Sequence, residues 1–237
     1  MAVNRTIKPT LPFPWKQGQM MSIIGQTGTG KSTLASHLLK ARDWNLIFQT
    51  APDPKTEYEV DVEAGNIKPL TTPNSRVRRI LLRPSLPRLW WTQKATAMLL
   101  ERMERARDLF YEALGVAFWQ GGWCVYLDEL LHIDRLGLRP PVETLLTEGR
   151  KRHITVVSGM QRPVAVSRFA LGESRHLITF GLEGRDVKEF RDVTNDTAAA
   201  VAEDLDEYEF VWVCKPRGIW RGRLNLSADT LEGEYVR

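Results

Sequence analysis

The stretch Gly25-Gln26-Thr27-Gly28-Thr29-Gly30-Lys31-Ser32 constrains this chain more than any other. It satisfies G-x-x-x-x-G-K-[ST], follows the apolar run Met20 to Ile24, and leads into helix-permissive Thr33 to Leu39. The pattern predicts a strand, a glycine loop and a helix, in that order. Three glycines let the backbone curl with its N–H groups turned inward, and the helix start adds unpaired N–H groups and a positive dipole end. That hollow suits a polyphosphate. Gly25, Gln26, Thr27, Gly28, Thr29, Gly30, Lys31, Ser32 and Thr33 are expected to cradle ATP, with Lys31 reaching the β and γ phosphates and the Ser32 hydroxyl on Mg²⁺.

A chain of 237 residues is compatible with one α/β domain. The expected division is an extended arm over 1–18, where Pro9, Pro12 and Pro14 oppose a helix, and a single ATPase domain over 19–237. The arm is expected on the surface or on a neighbouring subunit. Hydrophobic residues make up 43% and charged residues 26%, so neither disorder nor a membrane class is indicated. No apolar run has the length of a membrane span, and Met1 to Lys16 lacks a signal-peptide core, so a soluble, cytoplasmic protein without membrane insertion is expected. Cys124 and Cys214 are isolated, which argues against a disulfide framework or zinc site and for buried thiols. Charge is uneven: Arg76 to Arg107 holds nine basic residues against two acidic, and Glu183 to Glu209 holds ten acidic against three basic. Such asymmetry suits a protein that meets nucleic acid on one face, or a solvated surface laced with ion pairs.

Further along, Trp44 to Gln49 and Val77 to Leu82 read as strands, and Ala51 to Asn74, with four prolines, as loop. Met98, Leu99, Met103, Ala106, Phe110, Ala113 and Leu114 recur at helical spacing within Trp91 to Leu114. Trp123 to Leu127 and Ile154 to Ser158 are continuous apolar runs of the kind found in parallel strands covered on both faces. Pro140 to Lys151 reads as a helix, Leu177 to Phe180 as a strand, and Asp186 to Asp192 and Thr197 to Leu205 as helices. Phe210 to Val213 and Ile219 to Leu226 read as a terminal hairpin around Pro216-Arg217-Gly218.

Hydrolysis of a nucleoside triphosphate needs Mg²⁺ beside the β and γ oxygens and a base for the attacking water. Asp128 and Glu129, at the end of a buried strand, fit the two roles: Asp128 as metal ligand, Glu129 as base. Gln161, past the next strand, is suited to sense the γ-phosphate, or is an ordinary loop glutamine. The cluster Gly149-Arg150-Lys151-Arg152 offers a guanidinium that, in a ring, could enter a neighbour's site, or a solvated helix end. His37, His132, His153 and His176 lack paired metal-ligand spacing.

In order, Gly25 to Ser32, the strand ending Asp128-Glu129, Glu148-Gly149-Arg150-Lys151, Ile154 to Ser158 and Gln161-Arg162-Pro163 resemble the FtsK–HerA superfamily of DNA-pumping ATPases. The likeness extends over Met20 to Gly181. It implies a RecA-like (ASCE) P-loop core, α/β with a mostly parallel sheet flanked by helices, here followed by the C-terminal β-hairpin. It further implies a ring, a hexamer by preference, that pumps double-stranded DNA with ATP. A portal or membrane protein is a conceivable partner, and a viral member would work in the host cytoplasm or with the virion. Small viral packaging ATPases are the bare-core members of that group. By its match to the motif Arg150 is the trans arginine, with Arg152 and Arg162 as alternatives. Two other functions fit a phosphate loop: an ATP-dependent switch or assembly platform, and a small-molecule kinase. DNA is expected to run past Arg83 to Trp91 and His132 to Arg139, through Arg83, Arg88, Arg135 and Arg139.

Overall fold

The computed structural model describes residues 11–49, 68–70, 79–82, 93–166, 168–216, 218–225 and 230–236. Ten strands form one sheet in the order β10-β9-β8-β7-β1-β6-β5-β2-β4-β3. They are β1 (Met21–Ile24), β2 (Asn45–Phe48), β3 (Lys68–Leu70), β4 (Arg79–Leu82), β5 (Cys124–Leu127), β6 (Thr155–Met160), β7 (His176–Thr179), β8 (Glu209–Cys214), β9 (Gly218–Asn225) and β10 (Thr230–Tyr235). From β3 to β7 every pairing is parallel, and β8, β9 and β10 add on antiparallel.

The helices are α1 (Lys31–Leu39), α2 (Gln93–Gln120), α3 (Leu130–Arg135), α4 (Arg139–Glu148), α5 (Arg168–Glu173), α6 (Arg185–Val193) and α7 (Asp196–Glu203). Alternation along the strands sends side chains to two cores. In β5, Val125 and Leu127 join Phe110, Leu145, Phe190 and Ala199 on the face covered by α2, α4, α6 and α7. Cys124 and Tyr126 face the other way, into a core with Leu34 and Leu38 of α1. Both faces are covered, which is why the parallel strands are apolar throughout rather than alternating.

Several expectations change in extent. The long amphipathic helix runs to Gln120; its Ala106, Phe110, Ala113 and Leu114 are buried, but Met103 is 38% exposed and does not belong to the buried stripe. The helix expected over Pro140 to Lys151 closes at Glu148, and a 3₁₀ turn carries Gly149–Arg152. The terminal hairpin is a three-stranded antiparallel extension: β10 follows, and β8 joins β7 with Thr179 opposite Val211. Polar Thr230 to Tyr235 carries little apolar pattern, so pairing with β9 supplies what the sequence does not signal. Of His132 to Arg139, expected along the DNA path, His132 to Arg135 is the end of α3 and Arg139 opens α4. Arg83 to Trp91, and Ala51 to Asn74 apart from Lys68–Leu70, lie outside the described residues.

Residues 11–18 lie against the chain's own core. Phe13 and Trp15 are buried with Trp212 and Trp220, and Phe13 meets Trp212 and Tyr235 edge to face, at 6.0 and 5.6 Å between ring centres. Gln17 Nε2 donates to the carbonyls of Gly122, Trp123 and His153. Cys214 is half-buried and Cys124 fully buried, both as free thiols. No described helix is long and apolar enough to cross a membrane.

Candidate nucleotide site

β1, β5, β6 and β7 run in one direction, so the segments leaving their carboxyl ends share one edge of the sheet. Gly25 to Gly30 leaves β1 there, Asp128-Glu129 leaves β5, and Gln161 leaves β6. β6 stands between β1 and β5, with Ile24 opposite Met160 and Leu127 opposite Ser158.

The loop has the curled backbone that its glycines predict. Gly28 and Gly30 have φ of 87° and 101°, values disfavoured for other residues. Gly30 caps α1, and Leu34 N–H donates to its carbonyl at 2.9 Å. Gly25 N–H donates to Met160 O at 3.1 Å, tying the loop to β6 directly before Gln161. Thr29 Oγ1 donates to Gln26 O at 2.9 Å, and Lys31 Nζ donates to the same carbonyl at 2.8 Å, so the ammonium closes the loop on itself. Gln26, Thr27 and Gly28 are exposed; Ser32 and Thr33 are half-buried at the first turn of α1.

Burial lowers the Lys31 pKa, and the charges of Glu129 and Asp128 oppose that shift. Asp128 is pushed up, first by burial and further by Glu129, while a hydrogen bond from Tyr126 and the charge of Lys31 act against this. Tyr126 Oη donates to Asp128 Oδ1 at 3.0 Å. Glu129, 9% exposed, precedes α3 with an extended backbone (φ −140°, ψ 102°) and its carbonyl accepts from Ile133. Asp128 is half-buried and Glu129 buried, and the Ser32 hydroxyl is half-buried at the start of α1 on the same edge of the sheet; carboxylate and hydroxyl oxygens are the hard donors that magnesium takes, so Ser32 and Asp128 fit such an ion by their chemistry.

Two supporting residues were not anticipated. Tyr126 lies two positions before Asp128, and that period-two spacing on a strand was a readable signal. Gly159 was not readable: a Cβ there would stand 2.3 Å from Asp128 O, so only glycine lets the end of β5 lie against β6.

Gln161 is exposed at the end of β6, on the site edge. Arg150 is at the other end. It precedes β6, whose six residues span about 20 Å, so it cannot reach its own phosphate loop. Its guanidinium has no ion pair among the described residues. Arg152 stacks on Phe118 and Trp119, 4.3 and 5.3 Å from the ring centres. Arg162, at the site edge, is paired through Nε with Asp186 Oδ2 at 2.9 Å. Of the two described arginines expected at DNA, Arg139 is paired with Glu143 at 2.8 Å and Arg135 is exposed. An open hollow of about 690 Å³ lined by Val201, Arg221, Glu234, Tyr235 and Val236 contains none of the nucleotide-site residues.

Comparison of the sequence with protein-family models and with curated proteins finds no match. The fold is similar to that of solved structures. The genome packaging NTPase B204 from Sulfolobus turreted icosahedral virus 2, in complex with ATP-gammaS, superposes with a TM-score of 0.58 at 14% identity, over 93% of this chain and 98% of that one. B204, the DNA-packaging ATPase from Sulfolobus turreted icosahedral virus, gives 0.57 at 16% identity over the same shares. The cytoplasmic domain of the Thermomonospora curvata type VII secretion ATPase EccC gives 0.53 at 13% identity, covering 93% of this chain and 26% of that one. The mixed α/β core with a mostly parallel sheet, expected for a P-loop ATPase, is thus the fold of the chain.

Proposed function

We propose that this chain is an ATP-hydrolysing motor of the FtsK–HerA kind that moves double-stranded DNA, as in viral genome packaging or DNA transfer. The observation that carries the reading is geometric: the glycine loop with Lys31 leaves β1, Asp128-Glu129 leaves β5 and Gln161 leaves β6, three adjacent parallel strands, at the same end of the sheet. A phosphate loop alone binds nucleotide; a buried carboxylate across from it adds a base for water. The similarity in fold to a viral genome packaging NTPase and to a viral DNA-packaging ATPase supports the choice of process.

In the proposed mechanism the backbone N–H groups of Gly25 to Ser32 hold the triphosphate, and Lys31 exchanges its contact with Gln26 O for the β and γ oxygens. Ser32 and Asp128 would hold magnesium, which would supply positive charge for the phosphate oxygens. Tyr126 fixes the Asp128 carboxylate, leaving Glu129 to take a proton from the attacking water. Gln161 hydrogen-bonds that water and the γ-phosphate. Arg150 acts on the nucleotide of a neighbouring subunit in a ring, a hexamer by preference; that role is compatible with its distance from its own loop. The division into an arm over 1–18 and a domain over 19–237, and a place in the cytoplasm or with a virion, belong to the same reading.

The test is ATPase activity with and without duplex DNA in wild type, Lys31→Ala and Glu129→Gln. We expect DNA-stimulated turnover in wild type, loss of ATP binding in Lys31→Ala, and retained binding without turnover in Glu129→Gln. Equal loss of affinity in both variants removes Glu129 from the role of base, and turnover indifferent to DNA favours a nucleotide switch.

A further inference from the structure

We infer that Tyr208 is the nucleobase platform of this site, stacking on the base of the bound nucleoside triphosphate; the inference rests on the nucleotide-site reading above. Tyr208 lies just before β8, far in sequence from the phosphate loop, yet its ring borders the position that a side chain at residue 30 would take. A Cβ at Gly30 would be 3.4 Å from Tyr208 Cδ1, 3.2 Å from Leu224 Cδ2 and 3.6 Å from Phe180 Cε1. These three side chains form the wall beside the loop at the start of α1.

The sheet order says what that wall faces. Asp128-Glu129 and Gln161 follow β5 and β6, on one side of β1, and β7 and β8 stand on the other. A triphosphate whose γ end points to the carboxylates therefore carries its nucleoside toward β7 and β8. The wall there is aromatic and continues inward: Phe180 packs on Phe210 at 5.7 Å, and Phe210 on Trp220 at 5.6 Å. Phe180 and Phe210 are buried, whereas Tyr208 is partly exposed and its hydroxyl has no hydrogen bond among the described residues. An aromatic face at the rim of a dry stack is what a heterocycle needs, since every base has a π-face.

Tyr208 is also held in place. Its φ of 61° lies in the left-handed region, an outlier for a bulky residue. Neighbouring contacts hold that turn: Leu224 N–H donates to Tyr208 O at 3.0 Å, Glu209 N–H donates to Asp206 O at 3.0 Å, and Asp206 N–H donates to Glu209 Oε2 at 3.1 Å. Arg221 and Arg223 grip Glu209 at 2.7 and 3.0 Å.

The experiment compares binding of Mg-ATP and of inorganic tripolyphosphate, which has the phosphates without the base. The variants are Tyr208→Asn, which removes the ring and tolerates the left-handed backbone, and Tyr208→Phe, which keeps the ring. Thermal unfolding verifies that each variant folds. We expect Tyr208→Asn to lose roughly 5- to 150-fold in ATP affinity, as removal of a stacking ring does, with tripolyphosphate affinity unchanged and Tyr208→Phe close to wild type. Parallel loss of both ligands in Tyr208→Asn overturns the inference and makes Tyr208 a support of the loop. A Tyr208→Phe variant as weak as Tyr208→Asn overturns stacking. Wild type that binds neither ligand overturns the nucleotide-site reading itself, a distinguishable failure.

Discussion

Among single residues, Gly159 and Asp128 show how little freedom the site has. A methyl group at 159 would have to push back the carbonyl of Asp128, a backbone atom that cannot rotate away. Gly159→Ala is therefore expected to cost about 1–3 kcal/mol in stability, as overpacking does, and to shift the Asp128 carboxylate. ATP turnover should fall more than ATP affinity, because the phosphate loop itself is not displaced. Calorimetry with steady-state kinetics checks this; a variant with unchanged Tm and kcat contradicts the close approach of β5 and β6. Gln161 and Glu129 were nameable from spacing alone, since each follows a buried apolar run by at most two or three residues. Tyr208 was not, because its partner is more than 170 positions away and nothing in its own neighbourhood marks it.

At the scale of elements, the junction of β7 with β8 carries a titratable group. His176 is fully buried; its Nδ1 accepts from Trp212 Nε1 at 3.2 Å and its Nε2 faces Gln19 Oε1 at 3.1 Å. Burial, then the charges of Arg175 and Arg42, push its pKa down to about 4 from 6.5. The folded state therefore binds fewer protons than the unfolded state between those values, and stability falls as pH drops from about 6.5 toward 4, by on the order of 3 kcal/mol at most. Glu209 acts in a lower window. Its hydrogen bond from Arg221, the largest of several causes, brings it to about 2 from 4.5, so stability is lost as pH falls from about 4.5 through 2. Thermal melts across pH 2–8 should show both windows. His176→Phe should flatten the upper one while lowering Tm at neutral pH, where it leaves Trp212 Nε1 without an acceptor; an unchanged slope excludes His176 as its source.

On the scale of the whole molecule, the two edges of the sheet differ in charge. Among the described residues, segments entering the parallel strands carry Lys16, Lys40, Arg42, Arg150, Lys151, Arg152 and Arg175 against Asp43, while the nucleotide edge carries Asp128, Glu129, Glu183, Asp186 and the acidic run Asp204 to Glu209 against Lys31, Arg162 and Arg185. Opposite edges of opposite sign suit a head-to-tail contact, the kind that closes into rings. It would also bring Arg150 of one subunit to the loop of the next. Arg150→Ala is expected to bind ATP and hydrolyse it up to about 10³-fold more slowly or beyond, as loss of an arginine finger does. Mixing Arg150→Ala subunits with Lys31→Ala subunits should restore part of the activity, since some interfaces then hold both groups intact. No recovery in rings demonstrated to be mixed assigns the role elsewhere. Arg152 and Arg162 are the weaker candidates, one stacked on Phe118 and Trp119, the other paired with Asp186.

The sequence by itself determined the phosphate loop, the two carboxylates, the glutamine and the parallel strands, because each is a local pattern: glycine spacing, or an apolar run with a polar stop. It also determined the class of fold, since strands alternating with helical segments have few ways to cover both faces of a sheet. Only the tertiary structure decided that β6 separates β1 from β5, that Phe13 and Trp15 are core residues, that β10 exists, and that Tyr208 meets the phosphate loop. Those facts rest on contacts between segments distant along the chain. Pairing across the sheet and packing between its layers set them, and neither leaves a mark in the residues nearby.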